Sequence, residues 1–328
     1  MVPVTLILLL TVVCAALPSF DTWALAHGRE YASPSERSTR KTIFNENMIL
    51  ATKHNAREST FTMGATIFAD LTLAEFTATF LFNSTASSHT KFSDADSEVN
   101  INTPSYPPSK NWIPSGCISS PINQGQCGSE WAIVATEVLE WTCCLSKSAK
   151  SLVSLSVQEV VDCSTGQGGQ GCSGGFITSG WQYAMAADGL CTESAYPYAQ
   201  KDGKCVAGLC PHQCRPTSIV NVAANNANAT LNAISNQPIA VLVQGSSSAF
   251  QMYTSGVISG PACGTMIDHS LAVTGYDSTA KIPYITAMNS WGEAWGENGF
   301  VRIALDPSAN GGMGTCGIYE APAYVIVK

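Results

Sequence analysis

Thirteen cysteines stand in this 328-residue chain, and an apolar run opens it. Together these two features decide where the chain folds and what holds it. The stretch from Met1 to about Ala26 has an apolar core from Val4 to Ala16, too short to span a bilayer, and reads as a signal peptide. Cleavage fits Ala24-Leu25-Ala26, with a cut after Ala16 as the alternative. An uncleaved membrane anchor is the competing reading. Export delivers the chain to an oxidising compartment where cysteines pair. Cys14 leaves with the signal, so 12 of the 13 remain, and every one can be in a disulfide. Zinc would be the other use for such cysteines, but only Cys210 and Cys214 bracket a histidine, His212, and no second cluster completes a tetrahedral site. No metal and no other cofactor is expected. No later segment is apolar for ~18 residues, so no membrane span is expected after signal removal.

Sixteen Lys and Arg against 24 Asp and Glu give a net charge of −8, which argues against a nucleic-acid partner. The acidic surface suits a secreted protein or one in the lysosome or vacuole. From Ser33 to Arg57 the polar sequence carries spaced apolar residues, including Phe44, Met48 and Ala51, and predicts an amphipathic helix. A second, short helix is expected from Thr72 to Phe80. Asn83 to Pro108 is rich in Ser, Thr, Asn and Pro, and reads as a connector open to processing. Asn83-Ser84-Thr85 and Asn228-Ala229-Thr230 are glycosylation acceptors if they lie on the surface. Helices follow at Glu130 to Leu145 and, capped by Ser156, to Asp162. Beyond about residue 215 come short β-rich runs: Ile239 to Val243, Ser270 to Tyr276, Tyr284 to Asn289, Gly299 to Ile303 and Tyr324 to Val327. A helical half followed by a strand-rich half predicts an α+β fold of two subdomains, with a ligand cleft between them.

The run Gln124-Gly125-Gln126-Cys127-Gly128-Ser129-Glu130-Trp131 resembles the papain family of cysteine peptidases, whose pattern here is Gln-Gly-x-Cys-Gly-Ser-Cys-Trp. Asp268-His269-Ser270, with Val273-x-Gly275-Tyr276, resembles that family's histidine segment. Asn289-Ser290-Trp291-Gly292, with Trp295-Gly296-Glu297-Asn298-Gly299, resembles its asparagine segment. Upstream, Glu36, Arg40, Phe44, Asn47 and Asn55 keep the spacing of the family's inhibitory propeptide helix, with Ala51 where Ile is usual. Gly64, Phe68 and Asp70 are similar to its second propeptide motif, with Thr66 where Asn is usual. The resemblance implies a cathepsin L-like zymogen: a signal over 1–26, a propeptide over 27–103 with its helical part at about 33–80, and a papain-like domain over 104–328. The fold it implies has a helical left half and a β-barrel-like right half. It also implies the disulfides Cys127–Cys172, Cys163–Cys205 and Cys263–Cys316. The partners of Cys117, Cys143, Cys144, Cys191, Cys210 and Cys214 cannot be deduced from sequence.

The roles that the resemblance assigns have physical reasons. A thiol at a helix N-terminus beside an imidazole becomes a thiolate nucleophile. His269 would be that imidazole, Asn289 its orienter, and Gln124 the oxyanion donor together with the backbone N–H of residue 130. Trp291, and by its place in the motif Trp131, would shield the site. Gly174, Gly175 and Phe176 resemble the shelf that pairs with substrate backbone, and Leu242, Ile267 and Ala321 would line an apolar pocket beside it. Glu130 breaks the set, because it stands where the nucleophile belongs. A carboxylate is a poor nucleophile toward an amide, so thiol-peptidase activity is expected to be absent or impaired. The expected partners are peptides or protein substrates in the cleft and the chain's own propeptide, on a monomer. An ion pair between Glu130 and His269 is expected in place of the thiolate–imidazolium pair. Two alternatives stand beside this peptide-binding homologue: a hydrolase in which Glu130 and Gln124 activate a water, and a non-catalytic structural or storage protein.

Overall fold

The computed structural model describes residues 17–82, 97–100, 106–146, 151–206, 208 and 210–328. The apolar core of the leader, Cys14 and the acceptor Asn83 lie outside them. The upstream segment folds as three helices, α1 (Phe20–Ala26), α2 (Pro34–Asn55) and α3 (Leu73–Phe80), and a short strand β1 (Phe61–Met63). Ser33 caps α2 through the Glu36 N–H, with Pro34 at the first position. Thr72 and Glu75 form a reciprocal capping box on α3, which fixes where that helix starts. Arg40 donates to Glu75 at 2.9 Å, and Asn47 donates to the Ala69 and Leu71 carbonyls, so α2 holds the following loop through polar side chains. Asn55 closes a two-way pairing with the Met63 backbone. The connector contributes one further strand, β2 (Ser97–Val99).

Helix α1 lies inside the leader if the cut follows Ala26 and downstream of it if the cut follows Ala16. Phe20 and Trp23 are buried against Phe44, and the Trp23 indole donates to the Thr66 carbonyl at 2.9 Å. These side chains are apolar because they pack on α2, and a cut after Ala26 would remove part of that core.

The helical half that follows holds α4 (Glu130–Leu145), α5 (Val157–Cys163) and α6 (Ile177–Ala186). Helix α4 is buried along nearly its whole length, between α5 and α6 on one side and the sheet on the other. The strand-rich half contains β3 (Ser109–Asn111), β4 (Pro216–Val222), β5 (Ile239–Val243), β6 (Tyr253–Ile258), β7 (His269–Asp277), β8 (Tyr284–Met288), β9 (Phe300–Ala304) and β10 (Ala323–Val327). Helices α7 (Ala227–Asn236) and α8 (Ser248–Gln251) interrupt them. The strand order is β1-β6-β9-β8-β7-β5-β10-β4-β2, and β3 pairs β7 off this path. The upstream segment and its connector therefore supply the strands at both ends of the path. The alternation expected for half-buried strands is missing from β5 and β7, which are buried on both faces because helices cover one side and the core fills the other.

Among the described residues six disulfides tie the chain. Cys127–Cys172, Cys163–Cys205 and Cys263–Cys316 are present as expected. Cys117–Cys144, Cys143–Cys214 and Cys191–Cys210 complete the set. All but Cys263–Cys316 have both ends between Cys117 and Cys214, so the helical half is the more heavily stapled, and Cys127–Cys172 runs under the cleft. Cys191 and Cys210 lie beside His212, but their sulfurs are consumed in a disulfide and are not thiolate ligands.

Candidate active site

Three loops meet at the head of α4. Gln124 donates its backbone N–H to the Ser290 carbonyl at 2.9 Å, and its side-chain Oε1 accepts from Ser290 Oγ at 2.6 Å. An antiparallel bridge joins Asn123 to Trp291. The Gln124 loop and the Asn289 loop are thus one rigid unit. Gly125 turns the chain between them and the helix with φ +65°, a conformation that favours glycine.

Glu130 is the first residue of α4 and is fully buried. The Gln124 amide donates to Glu130 Oε2 at 3.4 Å, to the Cys127 carbonyl at 3.0 Å and to the Phe80 carbonyl at 3.2 Å. Burial pushes the Glu130 carboxyl up to about 8; its own backbone N–H and the Gln124 amide pull it down, and Asp268 raises it further. His269 opens β7, and its Nε2 donates to Asn289 Oδ1 at 2.7 Å, which leaves Nδ1 as the acceptor of the neutral ring. Trp291 stacks on the imidazole at 4.6 Å between centroids. Burial pushes His269 down to about 4, although the Asn289 bond acts in the other direction.

The expected ion pair is therefore corrected. Glu130 and His269 form no salt bridge, Glu130 Oε1 and His269 Nδ1 are both buried without a hydrogen-bond partner, and each group is displaced toward its neutral form. Desolvation, not attraction between charges, dominates both groups. At neutral pH the site holds a carboxylic acid beside a neutral imidazole.

Desolvation is this strong because the upstream segment seals the cleft. Phe68 and Phe76 meet the Trp291 ring edge-on at 5.1 and 5.3 Å. Leu81 is buried, and a Cβ on Gly245 would stand 3.1 Å from its Cδ2. The Phe82 N–H donates to the Asp268 carbonyl at 3.2 Å. A Cβ on Gly174 would stand 3.2 Å from the Phe82 Cβ, so the glycine shelf does face a peptide. Gly175 is glycine for a different reason, since a Cβ there would lie 2.6 Å from the Trp131 ring. Trp131 is thus not a shield over His269. It points into the helical half beneath the shelf, with its indole donating to the Gly171 carbonyl at 3.2 Å. Phe176 caps the N-terminal end of α6 and is half-buried. Leu242, Ile267 and Ala321 converge in one apolar cluster and each is 6% exposed, a wall that barely meets solvent.

Comparison with known proteins decides the family. The model for the papain family of cysteine proteases matches residues 106–326, and that for the cathepsin propeptide inhibitor domain matches residues 20–76. The chain belongs to the papain family. A senescence-specific cysteine protease of Oryza sativa subsp. indica is 36% identical over 311 residues, covering 93% of this chain and 88% of the relative. Chymopapain of Carica papaya is 35% identical over 309 residues, covering 93% and 85%. Among solved structures, a recombinant stem bromelain precursor superposes with a TM-score of 0.85 at 31% identity, covering 94% of this chain and 98% of that one. A digestive procathepsin L 3 of Tenebrio molitor superposes with a TM-score of 0.79 at 29% identity, covering 93% and 97%. The sealed cleft is thus that of a papain-family proform.

Several residues of this papain-family site carried no role in the sequence reading. Asp268 stood in the quoted histidine segment, yet its work is structural: Oδ1 accepts from the Gly245 and Ser246 N–H groups and fixes the loop against which Leu81 packs. Tyr198 accompanies the Gln124 loop from behind; its hydroxyl bonds Ser129 Oγ and donates to the Gln124 carbonyl at 3.1 Å. Nothing in local spacing connects Tyr198 to residues so far from it in the chain. The acceptor Asn228 lies half-buried in the first turn of α7, with Oδ1 accepting from the Tyr106 hydroxyl at 3.0 Å. Among the described residues no helix is long and apolar enough to cross a membrane.

Proposed function

We propose that this chain is the precursor of a papain-fold protein that binds peptides in its cleft and lacks thiol-peptidase activity. One observation carries the reading: the nucleophile position holds a buried, protonated carboxyl that accepts from the Gln124 amide, the donor an oxyanion would need. The 12 cysteines of the exported chain are all in disulfides, so no thiol can substitute for Glu130. In the sealed precursor the same carboxyl also denies the water-activating alternative a general base, because burial beneath the upstream segment keeps it protonated up to about pH 8; the propeptide-free domain is where that alternative is tested. The cleft keeps what peptide binding uses. Phe80, Leu81 and Phe82 lie along it with a carbonyl on Gln124 and an N–H on Asp268, a backbone-directed mode with an apolar wall alongside.

The leader is proposed to end after Ala16, since α1 belongs to the propeptide core. Export, a monomeric mature domain from about residue 104, and residence outside the cell or in a lysosome or vacuole complete the reading. The test is a cleavage assay on propeptide-free protein with fluorogenic peptides, from acid to alkaline pH, with and without a thiol blocker. Saturable binding of apolar peptides without turnover is the expected result. Turnover sensitive to the blocker would refute the loss of thiol chemistry, and turnover insensitive to it would establish the Glu130 hydrolase instead. No binding and no turnover would leave the storage reading.

A further inference from the structure

The connector strand β2 is not on the cleft at all. It pairs in parallel with the outer edge of β4, with Ser97 opposite Val220, Glu98 opposite Asn221 and Val99 opposite Val222. The Ala223 N–H donates to the Val99 carbonyl at 3.0 Å, and the Asn226 amide donates to Asn100 Oδ1 at 2.9 Å. Asn100 sits at the rim of a cavity of about 620 Å³ whose other walls include Tyr106, Asn226, Leu231 and Tyr319. The expected processing point, near residue 103, lies C-terminal to all of these contacts. A cut there severs the chain but leaves β2 on the propeptide side, still paired to the mature domain.

We propose that the β4 edge is a second anchoring site for the propeptide, which keeps it bound as a separate chain after processing. The occupant is the chain's own Ser97–Asn100 segment. A strand edge offers backbone groups to an extended peptide, and a parallel strand whose terminal Asn100 accepts from the Asn226 amide meets that offer. Fourteen residues, 83–96, join the segment in the cleft to this strand. For a tether of that length the second contact forms at an effective concentration on the order of millimolar, so even a weak strand pairing slows release about tenfold or more. The proposal holds whether or not the mature cleft hydrolyses anything.

The test uses the full precursor with a site-specific protease sequence placed either at 101–105 or at 88–92. Both proteins are nicked under native conditions, and propeptide release is followed by size-exclusion chromatography. The first nick leaves β2 with the propeptide; the second leaves it with the mature domain. Release is expected to be at least about tenfold slower after the first nick. Val99→Pro, which removes a backbone donor from the strand, is expected to bring the first protein to the rate of the second. Equal release from the two nicked proteins, neither of which alters the strand, would overturn the proposal whatever the proline variant does.

Discussion

Replacing Glu130 by Gln in the precursor should stabilise it at neutral pH, and the gain should shrink on acidification. In the folded precursor the carboxyl stays protonated to about pH 8, whereas in the unfolded chain it ionises around its ordinary 4.5. Its folded pKa is raised, so the folded state holds the extra proton between those two values and loses stability as pH rises through that window. The loss is about 1.4 kcal/mol per pH unit, or about 3 kcal/mol between pH 4.5 and pH 7. The substituted amide fills the same space, can still accept from Gln124 and has no proton to lose. His269 acts in the opposite direction: its folded pKa is lowered to about 4, so its effect rises with pH from there to its ordinary 6.5. That contribution is common to both proteins and cancels in their difference. Chemical denaturation of the two precursors, disulfides intact, at half-unit steps from pH 4.5 to 8 measures the difference directly. It should open steadily in favour of the Glu130→Gln protein, toward about 3 kcal/mol at pH 7. An ion pair between Glu130 and His269 would give the reverse sign, with the unsubstituted protein the more stable between about pH 5 and 7. A flat or negative difference would refute the neutral-acid account.

Glu130→Cys should create a weak thiol-dependent endopeptidase in the propeptide-free domain. It frees the Gln124 amide for a substrate oxyanion beside the His269–Asn289 pair, and each oxyanion donor is worth about 10²–10³ in rate. Peptides with an apolar residue two positions before the scissile bond are the probe; no turnover and no labelling by an active-site thiol reagent would mean that the cleft is remodelled. Denatured, unreduced secreted protein should show no reactive thiol, and stoichiometric labelling of one site would break the six-disulfide assignment. Glu137→Gln on α4 should stabilise the protein at neutral pH, because burial, then the neighbouring Glu140, holds the Glu137 carboxyl well above the usual range, so folding must take up a proton that the amide does not need. The gain should grow as pH rises above the ordinary carboxyl range, and equal urea midpoints would count against it.

The motifs were legible because each is local: Gln124 to Trp131, Asp268 to Ser270 and Asn289 to Gly292 carry their meaning in residue types at fixed spacing. So were the helix starts, since Ser33, Thr72 and Ser156 cap helices through side chains three residues from their targets. What failed to read was whatever depends on burial by a distant segment. Phe20 and Trp23 look like the end of an apolar leader until α2 is placed against them. The state of Glu130 looks like one half of an ion pair until Phe76, Leu81 and Phe82 close over it. The three unassigned disulfides needed the packing of the helical half, because adjacent Cys143 and Cys144 leave α4 in different directions and take partners at Cys214 and Cys117.

On the proposed reading, Glu130 at the nucleophile position keeps the shape of a papain-family site and changes where its proton resides. A thiolate and an imidazolium make a charged pair of zero net charge; a carboxylic acid and a neutral imidazole reach zero net charge without separating it. That arrangement tolerates burial better than two charges do, and the sealed precursor buries both groups completely. It also alters what the cleft offers a peptide. The Gln124 amide already serves Glu130 Oε2 and the Cys127 carbonyl, and the propeptide reaches it only as a third acceptor, through the Phe80 carbonyl. On the same reading, a bound peptide draws on the shelf at Gly174, on backbone pairing at Asp268 and on apolar contact at Leu81's position beside that shared donor. Selectivity in such a cleft is set by side-chain fit and strand pairing, neither of which needs a nucleophile.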